Sequence, residues 1–138
     1  MKRRNIIIGI ILILLFIWIH SAISERTSYK ESLWITENVL NPLLEHVGIR
    51  AVDKDLVRKV AHVLEFLLLG IFTSYFWKGN IVKTIYSGMT IALIDETIQV
   101  VTKRGALITD IWIDMVGVGA GALIGYLMIK ASNRKREG

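Results

Sequence analysis

The apolar residues of this chain lie in four long blocks, at about 6–23, 57–77, 81–101 and 108–129. Each block holds roughly 18–22 residues, which is what a helix needs to cross a hydrocarbon core about 30 Å thick. The blocks do not alternate apolar and polar residues, so they do not read as strands of a membrane barrel. The expected fold class is therefore all-α. The 138 residues form one domain, a four-helix transmembrane bundle with a short interfacial helix in the first external loop.

Charge supports that reading and excludes another. The net charge is +5, which by itself suggests a nucleic-acid partner. Most of the imbalance, however, lies in Lys2, Arg3 and Arg4 and in Lys130, Arg134, Lys135 and Arg136. These flank apolar blocks, where positive charge sets membrane orientation. No nucleic acid is expected as a partner. There is no cysteine, so thiol catalysis, disulfides and thiolate metal sites are excluded.

The same basic residues predict topology. Both termini, together with Lys78 and Lys83 around the second turn, belong on the cytoplasmic side of a multi-pass plasma-membrane protein. Residues 24–56 carry Arg26, Lys30, Arg50 and Lys54 against Glu25, Glu31, Glu37, Glu45, Asp53 and Asp55. That balance suits an external loop. Within it Leu33, Trp34, Leu40, Leu43, Leu44 and Val47 recur at helical spacing. They predict an amphipathic helix at the outer interface, anchored by Trp34 and kinked at Pro42. The first block resembles a signal sequence, but His20 is a poor residue three before a cut after Ala22. An uncleaved span is expected.

Ionisable residues inside such blocks are expensive and mark sites or paired networks. Arg58, His62 and Glu65 follow i, i+4, i+7 and make one stripe on the second helix. Asp95, Glu96 and Gln99 share a face of the third, and Asp110 and Asp114 share one of the fourth. With Arg104 in the last turn, these nine residues form the expected ligand site, within the outer third of the membrane. Several chemistries remain open. Arg58 and Arg104 can clamp an anionic headgroup, Glu65 and Glu96 can accept from amides or hydroxyls, and His62 and Gln99 can orient them. A buried carboxylate can act as an acid or base. The acids can also simply pair with Arg58, Lys59, Lys103 and Arg104 and lock the helices together. His62-x-x-Glu65 is half of a di-metal bundle motif that Glu96 and Asp110 would have to complete. Without a second His-containing half, no metal and no cofactor are expected. Gly117, Gly121 and Gly125 form a small-residue row that packs a neighbouring helix of the bundle or, alternatively, a second copy of the chain.

The run Arg58-Lys59-Val60-Ala61-His62-Val63-Leu64-Glu65-Phe66 with Leu69-Gly70 resembles the first motif of the VanZ-like membrane proteins. Asp95-Glu96-Thr97-Ile98-Gln99, then Arg104-Gly105, Asp110 and Gly117 through Gly125, resemble the second. The resemblance covers roughly residues 34–128. Asp114 departs from it, standing where many members carry Asn and adding a negative charge. The founding member is associated with low-level resistance to teicoplanin, a lipoglycopeptide that binds cell-wall precursors outside the membrane. The resemblance implies a non-enzymatic envelope protein with some part in glycopeptide tolerance. Membrane lipids or a lipid-linked envelope precursor are then the expected partners. The rival expectation is an intramembrane hydrolase or transferase acting on envelope lipids.

Overall fold

A computed structural model of the chain describes residues 2–22, 30, 33–42, 54–102 and 108–137. Every regular element among them is helical, and none is a strand. Helix α1 spans Arg3–Ala22. A short helix α2 covers 33–42, and its central turn, Thr36–Leu40, is π-helical. Then follow α3 (Lys54–Phe76), α4 (Ile81–Val101) and α5 (Ile108–Glu137). The expected all-helical class is what the chain forms. On length and composition alone, α1 and the stretch Thr109–Lys135 of α5 are apolar enough to cross a membrane. The other two long helices, at 23 and 21 residues, interrupt their apolar character with Lys59, His62 and Glu65, and with Lys83, Asp95 and Glu96.

The loop helix is present where its periodicity placed it. Its buried residue is the polar Thr36, Leu33 and Leu40 are half-buried, and Trp34, Ile35 and Val39 are exposed, so burial does not follow the apolar face that the spacing picked out. Leu43, Leu44 and Val47 lie outside the described residues, as do Lys103 and Arg104.

Between α3 and α4 the chain reverses within four residues. Gly79 donates its N–H to the Ser74 carbonyl at 2.8 Å, and Lys78 donates to Tyr75 at 3.2 Å. This is a Schellman closure, with Lys78 (φ 53°) taking the left-handed position that glycine usually fills. The side chain of Asn80 then accepts from the Lys83 N–H at 3.0 Å and starts α4. A turn this tight makes α3 and α4 antiparallel neighbours. It also brings the first half of α3 level with the second half of α4.

Helix α5 makes its most extensive contact with α3, then with α4, and α1 lies against α3 and α4. The α3–α5 seam is built on glycine. A Cβ on Gly117 would stand 2.5 Å from the Val63 carbonyl oxygen, and one on Gly70 would stand 2.6 Å from that of Val118. One on Gly121 would run into the Leu67 carbonyl, and one on Gly125 would meet Ser74 Cβ at 2.7 Å. The row is thus filled by α3 of the same chain, and a homo-oligomer would need a different face. Ile17, Phe66, Leu69, Ala92 and Val118 close the centre between the four long helices.

Gly119 sits in the same helix with nothing within 4 Å of its would-be Cβ. The two positions therefore separate helix propensity from packing. Gly119→Ala should be neutral or stabilise by up to about 1 kcal/mol. Gly121→Ala should destabilise by about 1–3 kcal/mol, because the obstacle is backbone that no rotamer change can move. Thermal unfolding of the two purified variants beside wild type, in one detergent, measures both.

Candidate functional site

The interior of this bundle is unusually polar. Among the described residues, seven hydrophobic residues are buried, but eleven polar or charged ones are. The buried polar set includes Ser21 on α1, His62 and Glu65 on α3, Asp95, Glu96 and Gln99 on α4, and Asp114 on α5. These seven come from the end of the bundle away from the α3–α4 turn, whereas Thr73, Ser74 and Thr84, also buried, lie beside it. His62 and Glu65 of the first stripe, Asp95, Glu96 and Gln99 of the second and Asp114 of the third thus lie in the interior, while Arg58 and Asp110 are half-buried.

His20 is the residue that the stripes missed. It sits at the end of α1, and its Nδ1 is 2.9 Å from Glu65 Oε1, 45 residues away. Its ring stacks on that of His62, with centroids 5.7 Å apart and planes at 23°. It also stacks with Phe16, at 6.2 Å. His20 had one sequence cue: it ends the first apolar block, at the depth where the second and third blocks carry their charge. Read as a position near a cleavage site, it gave no hint of its partner.

His62 Nδ1 lies 3.6 Å from Asp114 Oδ1. Gln99 Nε2 donates to Asp95 Oδ2 at 2.8 Å, the contact their i, i+4 spacing predicts. Glu96 is buried alongside. Asp110, a turn outward from Asp114, is half-buried with an enclosed Oδ1 that has no hydrogen-bond partner among the described residues. Arg58 is half-buried, and Lys59 is exposed. Arg104 lies outside the described residues. Among the described residues no lysine or arginine is ion-paired with Glu65, Asp95, Asp110 or Asp114; the pairs holding Glu65 and Asp114 are with histidines.

His62, Asp95 and Asp114 each offer one ligand atom, and the three atoms lie within 4.8 Å of one another. This differs from the set considered from sequence, in which Glu65, Glu96 and Asp110 were to join His62. Both sets draw on α3, α4 and α5, but the observed group leaves out Glu65 and takes Asp95 in place of Glu96 and Asp114 in place of Asp110.

The His20–Glu65 pair is open to a double-mutant cycle. His20→Ala strands a mostly buried carboxylate and should destabilise by about 1–3 kcal/mol. Adding Glu65→Gln should recover much of that loss. Equal and additive effects of the two changes, measured by denaturation in detergent, would mean the pair contributes nothing.

Searches of curated proteins and of solved structures found no match to this chain. The family model VanZ/LLP1 matches residues 6–130, which reaches all four long helices and takes in every site residue named above. The chain belongs to the VanZ/LLP1 family.

Proposed function

We propose that the four long helices are membrane spans, and that the polar cluster binds a lipid headgroup, a cell-wall precursor or a lipophilic drug at the outer leaflet. The single observation behind this reading is that the bundle is polar inside and apolar outside. Leu12, Phe16, Leu64, Leu68, Val82, Tyr86, Val101, Trp112, Val116 and Leu123 are exposed, so all four long helices present large apolar side chains outward. Exposed apolar surface on that scale calls for lipid or a partner. Exposed hydroxyls behave accordingly: Thr90 and Thr97 donate back to the Tyr86 and Leu93 carbonyls at 2.9 and 2.7 Å. Such bonds need no water, which the hydrocarbon core does not supply.

Orientation rests on the opposite end of the bundle. There Arg3 lies over the Phe76 ring at 5.6 Å, Lys83 over Trp77 at 5.2 Å and Lys130 over Tyr126 at 5.8 Å. A belt of aromatic and basic residues suits a cytoplasmic interface rich in anionic lipid. Both termini are then cytoplasmic, and the carboxylate–histidine cluster faces the outer leaflet. Its buried acids favour ligands that present amines, amides or hydroxyls, with Arg58 and Arg104 left to meet a phosphate.

The test uses a glycopeptide-sensitive Gram-positive host expressing the chain, beside level-matched Glu65→Gln and Glu96→Gln versions. Only the wild type should raise tolerance to teicoplanin, and none should alter tolerance to vancomycin, which lacks the lipid tail. No shift with the wild type would remove the link to glycopeptides.

A second reading is acid–base or hydrolytic chemistry on envelope lipids. It is favoured by one contact, the His20 imidazole held on the Glu65 carboxylate, an arrangement that orients a proton-transfer group. It predicts altered lipid species in membranes of the overexpressing strain, and restoration of the normal profile by His20→Ala. An unchanged profile with the wild type counts against it.

A further inference from the structure

We propose that His62, Asp95 and Asp114 bind one divalent cation of the zinc or manganese kind. The three ligand atoms lie within 4.8 Å of one another, with one residue from each of three helices. The His62 Nδ1–Asp114 Oδ1 separation of 3.6 Å is too long for a hydrogen bond. It is close to the roughly 3.4 Å between two ligands held about 2.0–2.1 Å from a tetrahedral ion. The separation suits two ligands of one ion as well as it suits an ion pair.

Asp95 supplies the independent observation. Its side chain is 0% exposed. Oδ2 accepts from Gln99, but Oδ1 has no hydrogen-bond partner among the described residues. A carboxylate oxygen enclosed in protein without a donor is a large unmet cost. A cation at that oxygen removes it. No lysine or arginine among the described residues is ion-paired with Asp95 or Asp114. One neutral imidazole and two carboxylates also carry the charge that balances a divalent ion.

Ligand chemistry narrows the class. Mixed imidazole and carboxylate donors suit zinc or manganese, whereas magnesium and calcium prefer oxygen alone. The surroundings hold the donors in place. Gln99 fixes the Asp95 carboxylate, and the stacked His20 ring supports that of His62. Groups that orient ligands in this way typically change affinity 10–100-fold when removed. Three protein ligands leave a coordination position free for a phosphate or carbonyl oxygen arriving from the outer leaflet. The site goes beyond the headgroup reading and stands without it, since cation binding requires no lipid.

The experiment uses the full chain in detergent, stripped with a chelator and then dialysed against Zn²⁺, Mn²⁺ or Mg²⁺ alone. Elemental analysis should find about one Zn²⁺ or Mn²⁺ per chain and little Mg²⁺. Zn²⁺ or Mn²⁺ at a hundredfold excess over Kd should raise the Tm of wild type on the order of 10 °C. Asp95→Asn and Asp114→Asn should each lose both the stoichiometric metal and the rise in Tm. Gln99→Ala should keep the metal with an affinity about 10–100-fold weaker. His20→Ala, outside the ligand set, should still bind one ion.

Folding of the variants is kept separate by a measurement on wild type alone. Co²⁺ added to the stripped protein should give the visible absorption of a low-symmetry nitrogen–oxygen site, and Zn²⁺ should displace it. No such absorption together with no stoichiometric zinc or manganese overturns the proposal. So does stoichiometric metal that both Asp→Asn variants retain, because that metal is then adventitious. The test is independent of glycopeptide tolerance: loss of tolerance with metal retained, or the reverse, identifies which reading has failed.

Discussion

The contact on which this structure depends is backbone against backbone at the α3–α5 seam. Gly117 faces the Val63 carbonyl and Gly70 faces that of Val118, at distances that leave no room for a Cβ. Apolar side chains give little reason for helices to associate in lipid, because the tails are as apolar as leucine. Close packing of small residues supplies the attraction instead. The seam also sets the register. Asp114 lies one turn before Gly117 on α5, and His62 lies beside Val63 on α3. Locking glycine onto carbonyl therefore brings the His62 and Asp114 side chains to 3.6 Å. The short Schellman turn does the same for α4, bringing Asp95 level with both.

What that register assembles is a set of carboxyl groups buried close together. Glu65, Asp95, Glu96 and Asp114 are all buried, and two histidines stand among them. Buried like charges raise one another's cost, and breaking or leaving open such a set is worse than filling it with apolar side chains. A bundle selected for stability alone would carry leucines at these positions. Asp114 sharpens the point, since an Asn there would keep the shape and shed a charge. The bound cation or hydrogen-bond donor proposed above would offset that cost.

Much of this was legible in the sequence, for reasons that particular residues show. The stripe of His62 and Glu65, and the pairing of Asp95 with Gln99, follow from helical phase, which is local. The glycine row announced a close helix approach, because little else explains small residues at every fourth position in an apolar block. The partners of these features were not legible. His20 and Glu65 are 45 residues apart, and no periodicity within α1 marks His20 as facing α3. The same limit produced the ligand set built on His62-x-x-Glu65. Spacing can rank residues on one helix, but the grouping of His62, Asp95 and Asp114 depends on the rotation of three helices about their axes. Only the packing of the seam fixes that rotation.

The two ends of the bundle differ in chemistry, and that difference links the fold to its setting. One end gathers Arg3, Lys83 and Lys130 over aromatic rings, where long cationic side chains can reach water or anionic headgroups. The other gathers carboxylates and histidines inward, where they cannot. In the membrane orientation proposed above, the basic belt sets which way the bundle inserts, and the acidic end then lies at the opposite face. Orientation and site are then consequences of one asymmetric placement of charge. On that proposal, reversing the belt would turn the same folded cluster toward the cytoplasm, out of reach of the external lipid-anchored ligand proposed for it.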